Sequence, residues 1–419
     1  MSSKFAIWWL ELVDKGLVVS KKLLLLGGTR YLLPVIESAH DLGCEVVTCD
    51  YLPDNIAHQY SDAYVNASIV DKDAVLQAAE QVKADGIMSF AADPGVVAAS
   101  YAAEKLGLPF QGSYEAVQIL QNKGRFRSFL RDHGFNCPFS YTVSSIKESI
   151  DLSESLVYPV IVKPVDSAGS KGVSKVESNE EMEGAVRNAM AFSISGQCII
   201  EQFIEKQGDS SDSDGFLING EPACISFSTQ LFDLEGRNPY VPAAYVMPSS
   251  ISSDHQETLI SEIGRLSKLL GLRTGLFNIE TRVGQDGKPY IMEMSPRGGG
   301  NRLSEMLRYA SGIDLIRASV QASLGMEVQD VRTPQYDGVW YQLMMHSVKE
   351  GVFRGIKYVD GFRDKHVVDE QLWIDPGARV EAFTGANHAF GSIIMRFDSL
   401  EEAREMLEGG STVVKAIVV

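Results

Sequence analysis

The segment Leu276–Arg297 narrows the fold of this chain more than any other stretch. Two alternating apolar runs, Leu-Phe-Asn-Ile-Glu-Thr-Arg-Val and Pro-Tyr-Ile-Met-Glu-Met-Ser, flank Asp286-Gly287. Asp-Gly between such runs marks a β-hairpin, because a two-residue turn needs the positive φ that these residues tolerate. With a two-residue turn Gln285 pairs with Lys288, which sets Glu280 opposite Glu293 and Asn278 opposite Ser295. Strand alternation places all four side chains on one face. Carboxylates directly opposite each other repel unless a cation lies between them. Mg²⁺ suits the position, since it takes one or two carboxylates and completes its shell with phosphate oxygens. Opposed glutamates also occur on solvated sheet faces, but the flanking Phe277, Ile279, Met292 and Met294 argue for a buried sheet.

Three further stretches carry chemistry. In Val160-Ile-Val-Lys163 an apolar strand delivers a lysine to its end, and the loop Ser167-Ala168-Gly169-Ser170-Lys171-Gly172 follows. Main-chain N–H groups of such a loop can wrap phosphates, with Lys163 as a point charge. It is not a Walker A loop, because it leads into a strand. Cys198-Ile-Ile-Glu201-Gln-Phe203-Ile204 is an apolar strand with a polar exit that continues to Asp209. Arg297-Gly298-Gly299-Gly300-Asn301 follows the acidic hairpin directly. Its glycines free the backbone to approach a ligand, and Arg297 can grip a carboxylate or phosphate in a fork.

Around these stretches the chain divides. Residues 21–112 alternate strand and helix, as in a Rossmann-like parallel sheet, but Gly27-Gly28-Thr29-Arg30 lacks the G-x-G-x-x-G fingerprint. Residues 113–326 read as α+β, and 327–419 as a small C-terminal α+β domain. Residues 1–20 read as an N-terminal extension without a basic leader or cleavage site. A length of 419 residues fits two or three domains. Lys plus Arg number 38 against 55 Asp plus Glu, a net charge of −17. So acidic a chain has no general attraction for nucleic acid or an anionic membrane, and an anionic ligand needs a local basic pocket or a metal. Five scattered cysteines with no C-x-x-C pair fit buried thiols in a reducing compartment, and so a cytoplasmic protein.

Taken in order, these features resemble the ATP-grasp superfamily of carboxylate–amine ligases across residues 21–419. Glu293-Met-Ser-Pro-Arg297 and the tail Pro376-Gly-Ala-Arg-Val380 look closest to the L-amino-acid ligases and the biotin-carboxylase-like group. The resemblance implies a Rossmann-like pre-ATP-grasp domain, an ATP-grasp fold of two subdomains, and a C-terminal cap. It implies ATP and Mg²⁺, with Mn²⁺ as a substitute, small carboxylate and amine substrates, ADP-forming chemistry through an acyl phosphate, and a homodimer. Bicarbonate-using carboxylase-like chemistry and a nucleotide-binding module without catalysis are the alternatives. Asn122-Lys123-Gly-Arg-Phe-Arg127 resembles the family's D-K-x-x-x-R helix start, making Lys123 a phosphate contact. Lys163 would meet the α- and β-phosphates, and Ser167 to Gly172 would close over them. Glu201, Phe203 and Ile204 would frame adenine, and Asp209 would hold ribose. Glu280, Glu293 and Ser295 would bind metal. Arg297 with Gly298–Asn301 would meet the reacting carboxylate. The chain departs from the pattern at Asn122, usually Asp, and at Ser295, usually Asn.

Overall fold

The computed structural model describes residues 20–167, 169–233, 236, 238–407 and 413–419. The expected extension, apart from Ser20, and the loop residue Ala168 lie outside that set.

Four short strands open the fold: β1 (Lys22–Leu26), β2 (Glu45–Asp50), β3 (Ala63–Asn66) and β4 (Gly86–Ser89). They pair in parallel in the order β3-β2-β1-β4. Leu23 to Leu26 are all fully buried, as an unbroken apolar run must be when helices cover both faces of a sheet. The helices are α1 (Leu33–Asp41), α2 (Lys72–Val82) and α3 (Asp93–Leu106). Asp71 caps α2, its carboxylate accepting the N–H groups of Asp73 and Ala74 at 3.0 and 3.1 Å. The strand order reverses between β1 and β4, so the loop entering α3 lies at the crevice where such sheets hold ligands.

Helices α4 (Tyr114–Gln121) and α5 (Lys123–Asp132) lead into a second sheet. It contains β5 (Ser140–Val143), β6 (Val160–Pro164), β7 (Ser174–Val176) and β8 (Cys198–Gln202), with α6 (Ile146–Ser153) and α7 (Asn179–Ala191). Its order is β5-β8-β6-β7. One face packs Val160, Val162, Cys198 and Ile200 against Met182, Val186 and Ala189 of α7. The opposite face carries Lys163 and Glu201.

The next strands are β9 (Ser211–Ile218), β10 (Glu221–Ser226), β11 (Thr229–Phe232) and β12 (Pro242–Met247). Helix α8 (Ser253–Leu270) precedes the hairpin β13 (Gly275–Val283) and β14 (Pro289–Ser295). Helices α9 (Leu303–Ser311) and α10 (Leu315–Ser323) follow. β10-β9-β13-β14 form one sheet. The last region holds β15 (Val339–Met345), β16 (Gly351–Tyr358), α11 (Phe362–His366), β17 (Val367–Leu372), β18 (Arg379–Val380), β19 (Gly391–Phe397), α12 (Leu400–Leu407) and β20 (Val414–Val418).

The sheets do not follow the division expected at residue 327. β11 and β12 join β15, β19 and β17 in one five-stranded sheet, with Tyr245 of β12 opposite Gln342 of β15. The C-terminal segment therefore extends a sheet that the central region begins. Helices α9 and α10 share a core with β1 and α1 through Leu23, Leu32, Val35, Leu307, Ile313 and Ile316.

Candidate active site

The hairpin sets Glu280 opposite Glu293 and Asn278 opposite Ser295, as expected, but by another route. The turn holds three residues: the Gly284 N–H donates to the Lys288 carbonyl at 2.9 Å, and Gly287 takes φ +72°. That turn alone would put Met292 opposite Glu280. A bulge at Met292 absorbs the extra residue and restores the register beyond it.

On the other side of β13, Glu280 pairs with Asp212 and Asn278 with Asp214 of β9. These two aspartates escaped the sequence reading, because Ser211-Asp-Ser-Asp214 has the composition of a loop. Only the two-residue spacing running into Gly-Phe-Leu-Ile hints at a strand. Asn278 Nδ2 donates to Asp212 Oδ1 at 2.7 Å, and the Gly299 N–H donates to Asp214 Oδ1 at 2.7 Å. Burial, then the charges of Asp214 and Glu280, push the Asp212 carboxyl up to about 7. A cation among these acids would relieve that repulsion. Among the described residues, no group of three or more His, Cys, Asp or Glu side chains is arranged to hold a metal. Two opposed carboxylates are a number that Mg²⁺ accepts from a protein.

One cation, Lys123 of α5, reaches the hairpin acids, and a second, Lys163 of β6, stands on the neighbouring sheet. Asn122 caps α5 by accepting the Arg125 N–H at 3.0 Å, which the usual Asp would do equally well. Lys123 Nζ donates to the Ser167 carbonyl at 2.9 Å and lies 3.4 Å from Glu293 Oε2. Lys163 leaves β6 and pairs with Glu201 Oε1 of β8, while Arg127 Nε of α5 meets Glu201 Oε2 at 2.9 Å. Burial raises the Glu201 carboxyl, but the two cations outweigh it and hold the group down to about 2. With both oxygens committed inward, the Glu201 side chain is not placed to face a base, contrary to expectation.

The small-residue loop is tied at both ends. Asp166 accepts the N–H groups of Ile194 and Ser195 at 3.1 and 2.8 Å, and Ser170 Oγ donates to the Tyr240 carbonyl at 3.0 Å. Gly169 and Gly172 take φ +70° and +69°, a region that side chains disfavour. Ile204 is buried and Phe203 half-buried, with Lys175 Nζ 4.6 Å from the Phe203 ring centre. Asp209 is half-exposed, its carboxylate 3.4 Å from Ser250 Oγ.

The strand exit differs most from expectation. Arg297 does fork a carboxylate, but that of Asp93, the first residue of α3. Nε meets Oδ1 at 2.8 Å and an NH2 nitrogen meets Oδ2 at 2.7 Å. The third nitrogen donates to the Gly298 carbonyl at 3.0 Å. Ser295 Oγ donates to Asp93 Oδ1 at 2.8 Å and accepts from Gln121 Nε2 at 2.7 Å, so this expected metal ligand is engaged by protein. The glycines serve close packing. A Cβ on Gly298 would lie 2.3 Å from Phe90, and one on Gly299 2.8 Å from Asn278 Nδ2 and Asp214 Oδ1. The Gly299 N–H is spent on Asp214, and Asn301 Nδ2 donates to Tyr245 Oη at 2.8 Å. Only Gly300 faces open space.

A parallel-sheet domain is followed by two α+β lobes, with the Glu280–Glu293 pair on one sheet, Lys163 and Glu201 on the other, and Lys123 of α5 beside Glu293. Residues 156–305 match the family model for the ATP-grasp domain. The chain is 25% identical over 300 residues to the carbamoyl phosphate synthase large chain of Thermotoga petrophila, covering 71% of this chain and 27% of that protein. The chain thus spans about a quarter of the curated relatives' length. An L-amino acid ligase from Bacillus licheniformis superposes with a TM-score of 0.78 at 21% identity, covering 96% of this chain and 99% of the other. A phosphoribosylglycinamide synthetase from Anaerococcus prevotii gives 0.75 at 20%, covering 96% and 100%.

Proposed function

We propose that the protein is an ATP-dependent ligase that joins a small carboxylate to an amine through an acyl phosphate, releasing ADP and phosphate. The observation that carries this reading is the Glu280–Glu293 pair with Lys123 beside it, a set suited to a metal-bound triphosphate. The family match and the ligases among the similar structures support it.

Lys163 and Lys123 bind the phosphates. The loop from Ser167 through Ala168, Gly169 and Ser170 to Gly172 closes over them and excludes water. Phe203, Ile204 and the main chain at Glu201 hold the base, and Asp209 holds the ribose. Glu280 and Glu293 would hold Mg²⁺, or Mn²⁺ in its place, and the bound cation would supply charge neutralisation at the phosphoryl group. Ser295 would offer its remaining lone pair as a third ligand.

In the first step a carboxylate oxygen attacks the γ-phosphorus, and the bond to the β–γ bridging oxygen breaks. In the second, the amine attacks the acyl carbon, loses a proton, and expels phosphate. Arg297 and the Gly298–Asn301 turn, with Gly300 open, line the acyl side. The chain supplies positioning and charge, and no protein nucleophile is needed. Cytoplasmic residence and a homodimer belong to the same reading, and the free cysteines agree with the first.

The test is ADP and phosphate release from Mg-ATP with pooled amino acids, with bicarbonate, and with no addition. Release that requires amino acids supports the ligase. Release with bicarbonate alone, or none under any condition, rejects it.

A further inference from the structure

Arg127 is fully buried, yet its guanidinium makes one side-chain bond, from Nε to Glu201. Its two terminal nitrogens have no protein partner. A buried guanidinium with free donors is costly, so its place at Glu201 calls for a reason. Glu201 bridges it to Lys163, giving the order Arg127–Glu201–Lys163. Lys163 with Glu201 alone would be a neutral pair and would offer no charge to an anion. Arg127 returns the sum of the three to +1. The side chains of Arg127 and Glu201 are 0% and 2% exposed, while that of Lys163 is 15% exposed. The surplus charge is therefore presented at the one member that reaches the cleft.

We propose that Glu201 is a positioning residue that keeps Lys163 an aimed ammonium for the nucleotide phosphates, and that Arg127 offsets the Glu201 charge so that the three together stay cationic. This rests on the nucleotide reading above. Every charged neighbour of Lys163 bears on it. Arg127 and Lys123 face it from α5 and disfavour its charge, while Glu201 of β8 favours it. Lys175, on the same face of β7, is paired with Glu177, and Glu293 of β14 is engaged by Lys123. Burial presses Lys163 toward the neutral amine, and Arg127 and Lys123 add to that pressure. Among the described residues, Glu201 is the anion that holds the proton in place.

The two partners therefore shift Lys163 in opposite directions. Glu201→Gln removes the anion and leaves burial and two like charges, so Lys163 sheds its proton at lower pH. Arg127→Gln removes a like charge and leaves Glu201, so Lys163 holds its proton to higher pH. A role confined to packing would produce no such opposed pair.

The experiment is competitive acetylation of the nucleotide-free protein across pH, with Lys163 read by peptide mass spectrometry. Glu201→Gln should move the midpoint of Lys163 reactivity down by at least about one unit, a tenfold rise in reactivity at fixed pH. Arg127→Gln should move it up. Arg127→Lys, which keeps the charge in a smaller group, serves if the glutamine variant does not fold, and should leave the midpoint near the wild-type value. Calorimetry of ADP binding then links charge to ligand: affinity in Glu201→Gln should fall steeply as pH rises, while the wild type stays level. Unmoved midpoints, or shifts of the same sign in both glutamine variants, overturn the pairing. Opposed midpoint shifts in the two variants, together with a wild type that binds no ADP, would uphold the charge arrangement and overturn the nucleotide reading instead.

Discussion

Asp93→Asn tests the contact that joins the parallel-sheet domain to the acidic hairpin. The substitution keeps the shape of the side chain and removes its charge. It leaves Arg297, whose side chain is only 10% exposed, without its ion-pair partner. The pair has two fork bonds of 2.8 and 2.7 Å, and the same carboxylate accepts the Ser295 hydroxyl. Breaking one partner of a buried pair costs about 3–5 kcal/mol, because the survivor stays desolvated and unpaired. The assay is urea unfolding at neutral pH, followed by tryptophan fluorescence, for wild type, Asp93→Asn, Arg297→Met and the double variant. The double variant should lose much less than the sum of the singles, since neither charge is stranded. The effect also has a pH sign. Burial raises the Asp93 carboxyl, but the Arg297 charge and fork outweigh it and hold it below the usual carboxylate range. Its contribution is complete above that usual range and is lost as pH falls through the lower folded value. The gap between wild type and Asp93→Asn should therefore close in acid. A neutral-pH loss below about 1 kcal/mol, typical of exposed pairs, would refute the argument.

Lys163→Ala should fold normally and lose Mg-ATP affinity by calorimetry; unchanged affinity in a folded variant removes the lysine from the phosphate site. Glu293→Gln should raise the Mg²⁺ concentration needed for half-maximal ADP release, whereas an unaltered Mg²⁺ dependence would take the hairpin glutamate off the metal. Gly299→Ala should destabilise by about 1–3 kcal/mol through overpacking, because its Cβ would lie 2.8 Å from Asn278 Nδ2 and Asp214 Oδ1. Gly300→Ala, facing open space, should be nearly silent in the same denaturation series, and equal losses at the two positions would contradict the packing of the turn.

What the sequence disclosed follows the range of the interactions. The β1–β4 alternation and the hairpin are local patterns, and periodicity reports them directly. The Glu280–Glu293 register emerged from two departures that cancel, a longer turn and a bulge at Met292. A bulge leaves no mark on apolar alternation when the extra residue is itself apolar. Asp212 and Asp214 were hidden because the first half of their strand is polar, with Asp214 held by the Gly299 N–H and the Ser304 hydroxyl, and only Phe216 and Leu217 beyond it are apolar core. The Asp93–Arg297 fork spans 204 positions of sequence, and no local pattern encodes such a meeting. The same holds for the sheet that unites β12 with β15. Lys163 was legible as a strand-end lysine, but its link through Glu201 to Arg127 depends on how α5 lies over β8, which a single sequence does not reveal.

The most direct test of the ligase reading follows oxygen. Pooled amino acids carrying ¹⁸O in their carboxylates are incubated with the protein, Mg²⁺ and ATP, and the released phosphate is analysed by mass spectrometry. Attack of a carboxylate oxygen on the γ-phosphorus, followed by amine capture of the acyl group, leaves that oxygen on phosphate. The account predicts one ¹⁸O atom in each phosphate formed, with ADP in equal amount. ADP release accompanied by unlabelled phosphate would contradict the acyl phosphate route.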